Sequence, residues 1–199
     1  MQKGYIIEQL NEFAAKHGVN FESELLNELV SISTFQVVPK GKMLQSIGEK
    51  TDVSGIVLSG ITRSYYLDND GNDITKGFAV EGTFCMDAGM LGFTENICMC
   101  ETLEETTIMF FETQKIKCLI DGSDSLKSVW MKLLENALRH KMYRESTFLL
   151  ENATERYLHF RERYPDLAGR VAQQYIATYL GITPESLSRI RKALREETE

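Results

Sequence analysis

The chain is poor in the residues that special chemistry usually needs. Its three histidines, His17, His140 and His159, lie far apart, and none sits in a nucleophile or metal motif. Four cysteines occur, Cys85, Cys98, Cys100 and Cys118, and none precedes position 85. Three prolines exclude long Pro-rich linkers. No stretch approaches the roughly 18 consecutive apolar residues of a membrane span. The segment Met1–Glu8 has no basic region followed by an apolar one, so no secretory leader is expected. These absences point to a cytoplasmic protein with reduced thiols, no membrane partner, no metal centre and no catalytic constellation, hence not an enzyme.

One further absence is local. Between Lys76 and Lys115 the sequence contains no lysine or arginine. An anionic ligand held by that segment would lack a cationic partner.

What remains is an ordinary globular composition, 43% hydrophobic and 26% charged, with a net charge of −7. The charge is unevenly spread. Residues 1–152 carry 14 basic and 22 acidic side chains, giving −8, whereas residues 153–199 carry 8 and 7, giving +1. Within Thr183–Arg195, four basic residues face one acid, Glu185. Screening limits distant charges to about a Debye length of 8–10 Å, so an acidic protein with a local basic stripe can still bind a polyanion.

The periodicity changes three times along the chain. Ile6, Ile7, Leu10, Phe13 and Ala14 recur at helical steps, and Phe21, Leu25, Leu26, Leu29 and Val30 do so after a break at Gly18. From Thr34 to Glu112, short β-branched and apolar runs alternate with turn signals. The predicted strands are Thr34–Val38, Ser54–Leu58, Ile61–Leu67, Asp73–Val80, Cys98–Leu103 and Thr106–Glu112. That spacing suggests a barrel, roll or sandwich. Asp68-x-Asp70-Gly71-x-Asp73 hints at a calcium loop, but the glycine is in the wrong slot and the twelfth position is Ala79; a hairpin turn fits better.

Ser125–Leu150 has no proline or glycine and reads as one long helix, with Ser123 or Ser125 as its cap. At 1.5 Å per residue it would extend about 39 Å. A lone long helix has two faces to bury, which predicts self-association. Trp130, Leu133, Leu134, Ala137 and Leu138 are the candidate seam. Asn152 and Glu155 fit a capping box, starting a new helix that ends before Pro165.

The segment Gln173–Lys192 carries the functional signal. A helix-turn-helix needs a small residue where its helices touch, and Ala177 supplies one. It needs a sharp turn, and Gly181 can take positive φ there. Ile176 and Leu180 would form one inner face, Leu187 and Ile190 the other, with Ile182 plugging the turn. Thr183 is placed to cap the second helix and Pro184 to occupy its first position. On the outer face, Glu185, Ser186, Ser188 and Arg189 lie where a recognition helix meets base edges. Thr183, Arg191, Lys192 and Arg195 are placed to meet phosphates. A C-terminal hairpin that docks a protein partner, on a small-molecule-binding module, is the alternative reading.

An acidic β-rich segment, a long helix and a C-terminal helix-turn-helix, in that order, resemble the Crp/Fnr transcriptional regulators found in bacteria. The resemblance covers essentially the whole chain and is sharpest over Ala153–Arg195. Ile56–Gly60 with Thr62-Arg63 resembles the family's first β hairpins, and Glu81-Gly82-Thr83-Phe84 its Gly-x-Phe pocket entry. The resemblance implies an α+β fold: a double-stranded β-helix, a jelly-roll-like roll of the cyclic-nucleotide-binding type with N-terminal helices, over 1–122; a dimerisation helix over 123–151; and a winged helix-turn-helix over 152–199. It also implies a homodimer on an inverted-repeat operator in double-stranded DNA, with RNA polymerase and a small-molecule effector as further partners. The effector's identity, and any cofactor, is unknown.

Where cyclic-AMP-binding members have a Gly-Glu pair for the ribose, this chain has Met86-Asp87; where they have an Arg-Ser or Arg-Thr pair for the phosphate, it has residues near Ile97-Cys98. No cyclic-nucleotide site is therefore carried over. An apolar or neutral effector would contact Phe84, Met86, Asp87, Cys98 and Cys100. Cys98 and Cys100 could also act as a redox or metal sensor, or be buried hydrophobes. Glu185 and Arg189 fall on the family's base-contacting positions, and Pro184 stands where many members have an Arg.

Overall fold

Residues 3–196 are described by a computed structural model. The architecture is α+β, with two antiparallel sheets and eight α-helices among the described residues. In chain order these are α1 (Lys3–Lys16), α2 (Ser23–Ser31), β1 (Ser33–Val38), β2 (Met43–Gln45), β3 (Val53–Ser59), β4 (Thr62–Leu67), β5 (Asp73–Ala79), β6 (Phe84–Cys85), β7 (Met99–Thr102), β8 (Thr106–Glu112), α3 (Thr113–Gly122), α4 (Asp124–Leu150), α5 (Ala153–Arg163), α6 (Leu167–Arg170), α7 (Gln173–Leu180) and α8 (Pro184–Glu196). One sheet has the order β1-β8-β3-β6, the other β2-β7-β4-β5. No helix among the described residues is long and apolar enough to cross a membrane.

The chain divides into two compact units. The first holds the chain up to Ser64 together with Phe78–Asn136; the second holds Tyr65–Gly77 together with the chain from Ala137 on. The division runs through β4, β5 and the middle of α4, whereas the sequence places its boundaries at either end of that helix.

In the first unit β3 is buried along its centre, from Ser54 to Leu58, as expected of a strand with neighbours on both sides. It pairs with β8 from Val53↔Glu112 to Ser59↔Thr107, and β8 pairs with β1 from Ser33↔Phe111 to Val38↔Thr106. Phe111, Met109 and Ile56 point into a core shared with Leu10, Phe13, Leu26 and Leu29 of the N-terminal helices. Ile120 and Ile116 of α3 complete it. α3 has no counterpart among the predicted elements; its apolar pair at i, i+4 is the signal that marks it.

Ser123, rather than Ser125, caps α4, accepting from the Leu126 amide at 3.4 Å. The helix buries its first two turns through Leu126 and Val129, with Trp130 and Leu133 half-buried against the same core. Trp130 meets Phe84 edge to face, ring centroids 5.8 Å apart. So two residues of the expected seam, Trp130 and Leu133, pack on their own chain. Leu134 is half-buried, and Ala137 and Leu138 are exposed, as are Met131 and Met142.

Candidate functional site

The second unit builds its helices on local signals. Asn152 Oδ1 accepts from the amides of Thr154 and Glu155, and a Glu155 carboxylate oxygen accepts from the Asn152 amide at 2.8 Å. This is the capping box expected from the spacing. α5 then packs Tyr157 and Phe160 inward.

α7 and α8 are joined by a short turn at Gly181, whose φ of +68° lies in the left-handed region. The Gly181 amide donates to the Thr178 carbonyl and the Ile182 amide to the Ala177 carbonyl, closing α7. A side chain at Gly181 would also clash, since a Cβ there would sit 2.7 Å from Phe148 Cε1. Ala177 and Leu187 are fully buried, and Ile176 and Leu180 nearly so, while Ile182 and Ile190 are half-buried. Pro184 opens α8, and Thr183 Oγ1 accepts from the Ser186 amide at 3.2 Å. Thr183 also donates to the Ser186 hydroxyl, so that hydroxyl belongs to the cap.

The outward side of α8 is polar. Glu185, Ser188, Arg189, Lys192 and Arg195 are exposed, Arg191 half-buried. The Glu185 carboxyl is held below its usual range by its own backbone amide, then by the Thr183 hydroxyl and the Arg189 charge one turn on. It is therefore an acceptor only at neutral pH. Lys192 meets Glu196 at 3.7 Å in an exposed i, i+4 pair, an arrangement worth little and easily exchanged for another anion. Arg195 Nε rests on the Arg191 carbonyl at 3.3 Å. Among the described residues no strand follows β8, so the expected wing is not seen among them.

In the first unit Met86 and Cys100 share a core cluster, Cys98 and Asp87 lie close enough to act on the Cys100 thiol, and Phe84 faces a different cleft. Phe84, half-buried, lines an apolar cleft bounded by α1, α2, α3, the start of α4 and the β1-β8-β3-β6 sheet. Trp130 and Leu133 line it too. Met86, Asp87, Cys98 and Cys100 are not in its lining. Met86 follows β6 with a φ of +59°, a conformation that costs a non-glycine residue roughly 1–2 kcal/mol.

Cys85, Cys98 and Cys100 are buried free thiols. Cys98 lies one residue before β7, where Gln45 donates to its carbonyl at 3.1 Å. Burial pushes the Cys100 thiol up to about 12 and the Cys85 thiol well above its usual range. Those two thiols stay protonated and unreactive at neutral pH. No group of three or more His, Cys, Asp or Glu side chains among the described residues is arranged to hold a metal.

Arg63 is not among the residues that the sequence singles out for a site. It is 1% exposed, with Nε and Nη2 on Glu101 Oε1 at 2.9 and 2.8 Å. A signal is present, for period-two spacing puts Arg63 on the face of Ile61 and Tyr65, both buried.

No family model matches the chain, and no curated protein matches it. Solved structures do. The fold is similar to FixK2 from Bradyrhizobium japonicum, with a TM-score of 0.72 at 20% identity over 84% of this chain and 86% of that one. It is similar to a CooA mutant from Carboxydothermus hydrogenoformans, TM-score 0.70 at 18% identity over 90% and 82%. A transcriptional regulator provisionally placed in the crp/fnr family, from Eubacterium rectale, gives 0.68 at 17% identity over 89% and 85%. At these identities the likeness is one of fold.

Proposed function

We propose that this protein is a sequence-specific DNA-binding transcriptional regulator of the Crp/Fnr type, acting as a homodimer. The observation that carries the reading is α7–Gly181–α8. A capped helix packed on α7, with Ala177 of one and Leu187 of the other both buried, presents Glu185, Ser188 and Arg189 on its first two turns, with Arg191, Lys192 and Arg195 further along. Arg189 reads guanine O6 and N7 as a bidentate pair, and Glu185 accepts from cytosine N4. Thr183, Arg191, Lys192 and Arg195 seat the helix on phosphates, and Ser186 supports the cap beside them. Two such helices in a dimer, about 34 Å apart, match an inverted repeat. In this reading residues 1–122 sense, 123–151 dimerise and 152–199 read DNA, and RNA polymerase is the further partner.

The effector of the first unit is not a cyclic nucleotide. Its buried guanidinium, Arg63, is already on Glu101, and an entering phosphate would have to displace a carboxylate. The apolar cleft beside Phe84 favours an apolar or neutral effector over the set Met86, Asp87, Cys98 and Cys100.

DNA selected from a random pool tests the reading. Arg189→Ala should cost about 1–3 kcal/mol on the selected site and relax one base pair in each half-site. Lys192→Ala should weaken binding to selected and scrambled duplexes alike and lower the salt slope by roughly 1 per site. Equal loss for Arg189→Ala on both duplexes would remove its base-reading role. Absence of any salt-dependent shift would return the hairpin to a protein-docking role.

The dimer is tested at the exposed row of α4. Sedimentation of a Leu138→Asp, Met142→Asp variant should show monomer where the parent shows dimer, with unchanged helical content. A monomeric parent would refute the seam.

A further inference from the structure

The second unit contains a cleft, open to solvent, walled by α4, α5 and α7. We propose that it binds a small planar aromatic anion, with Arg144, Arg156 and Arg163 taking the charge and Phe148, Tyr164 and Tyr179 the ring.

The charge balance is the first argument. Three guanidiniums line the cleft and no carboxylate does, in a chain of net charge −7. Two carboxylates lie nearby, Glu151, bound to His159 Nδ1 at 2.9 Å, and Glu162, and both act on the lining Tyr143. The three arginines are held by dipoles and ring faces instead. Arg144 donates to the carbonyls of Lys76 at 2.8 Å and Tyr179 at 3.0 Å, and its Nε is buried with no hydrogen-bond partner. Arg156 donates through Nε to the Leu180 carbonyl and through Nη1 to the Glu151 carbonyl, leaving Nη2 without a hydrogen bond among the described residues. The Arg163 side chain makes no ion pair or hydrogen bond among the described residues and rests near the Tyr164 ring. Cations gathered with no carboxylate in the lining favour an anion that can enter. His140, at the same cleft, reports that field. Burial, then the Arg163 and Arg144 charges, lower its pKa to about 4, so it sits neutral.

The lining chemistry is the second argument. The Arg144 guanidinium lies 4.4 Å from the Tyr179 ring centre and 5.2 Å from that of Phe148. Arg156 lies 5.2 Å from Phe148, and Arg163 5.5 Å from Tyr164. Alternating cations and ring faces suit a flat ring bearing a carboxylate; a bare phosphate would leave the aromatic walls unused.

The position gives the site a consequence. Tyr179 and Leu180, whose carbonyls Arg144 and Arg156 hold, end α7, and Phe148 packs where Gly181 has no side chain. A ligand that draws either guanidinium from its carbonyl acts on the turn that sets α8. This coupling rests on the DNA-binding reading; the site itself does not.

Calorimetry on the full chain, without DNA, tests the site with salicylate as the probe and benzyl alcohol and acetate as the ring-only and charge-only controls. Saturable heat is expected for salicylate alone, with the His140 ring signals shifting in the NMR spectrum as it binds. Arg163→Gln, which breaks no hydrogen bond and should unfold at the parent's temperature, should weaken binding about tenfold, as loss of one charge-assisted pair does. No saturation by salicylate, equal binding of benzyl alcohol, or unchanged affinity in Arg163→Gln would overturn the proposal. Duplex affinity with and without salicylate then tests the coupling separately: a change supports it and no change removes it. A chain that bound no duplex at all would defeat the DNA reading, while the calorimetry would still decide the site.

Discussion

Arg63 in the first unit and Arg144 in the second are both drawn into the protein, yet their charges are handled differently. Arg63 is 1% exposed and meets Glu101 at 2.8 Å, so the interior of the β unit is electrically closed. Arg144 is half-buried, meets three carbonyls and two aromatic rings, and has Arg156 and Arg163 in the same cleft. Carbonyl dipoles and ring faces stabilise a guanidinium without cancelling its charge. The same residue type therefore excludes an anion in one region and invites one in the other. The position of a carboxylate, rather than the number of arginines, separates a structural ion pair from a binding site.

Three measurements would break or sharpen that contrast. The largest effect is expected from Glu101→Ala. It takes the carboxylate away from a buried guanidinium, at a cost of about 3–5 kcal/mol, or roughly 10 °C in Tm for a chain of this size. Thermal unfolding followed by circular dichroism checks it. The double variant Arg63→Met, Glu101→Leu should regain most of the loss, because two apolar side chains of similar volume replace the pair. A Glu101→Ala protein with the parent's Tm would mean that the pair contributes no closure.

A smaller effect is expected at His140. Its folded pKa of about 4 lies below the ordinary 6.5. The unfolded chain therefore binds a proton that the native state refuses. The native preference for neutral His140 is fully present above pH 6.5 and lost progressively as pH falls towards 4. His140→Gln removes this dependence. The Tm difference between parent and variant should move in the variant's favour from neutral pH to about pH 5. A constant difference would show that neither burial nor the arginine charges hold His140 neutral.

The smallest effect is a null. Calorimetry with cyclic AMP and cyclic GMP should give no saturable heat at micromolar ligand, because Arg63 is engaged and no lysine or arginine lies between Lys76 and Lys115. Clear saturation would show that Glu101 yields to a phosphate, and the contrast between the regions would fail.

The parts of this molecule legible in the sequence are those governed by neighbours within a turn or a strand. The Asn152–Glu155 box needs residues three apart, and it forms. Gly181, Thr183 and Pro184 announce a turn and a helix start, because a left-handed residue, a hydroxyl cap and a proline at the first position each have few other uses. The longer strands of the β unit lie within a residue or two of their predicted places. The very short β2 and β6 are not legible, since two or three residues carry no period.

The stripe on α4 shows the limit. Periodicity identifies its apolar residues, but a helix can bury either flank of a broad stripe. Packing alone sends Trp130 and Leu133 onto Phe84's core and leaves Met131, Leu138 and Met142 in solvent. The ion pair of Arg63 with Glu101 spans 38 residues of chain, and the cationic cleft gathers side chains from three helices. The left-handed turn at Gly181, the caps and the β-rich middle follow from the local sequence, because those depend on torsions and hydrogen bonds between residues a few positions apart. The tertiary structure decided which charges are cancelled and which apolar face stays open, because Coulomb and packing energies depend on distance in space, and no local pattern records it.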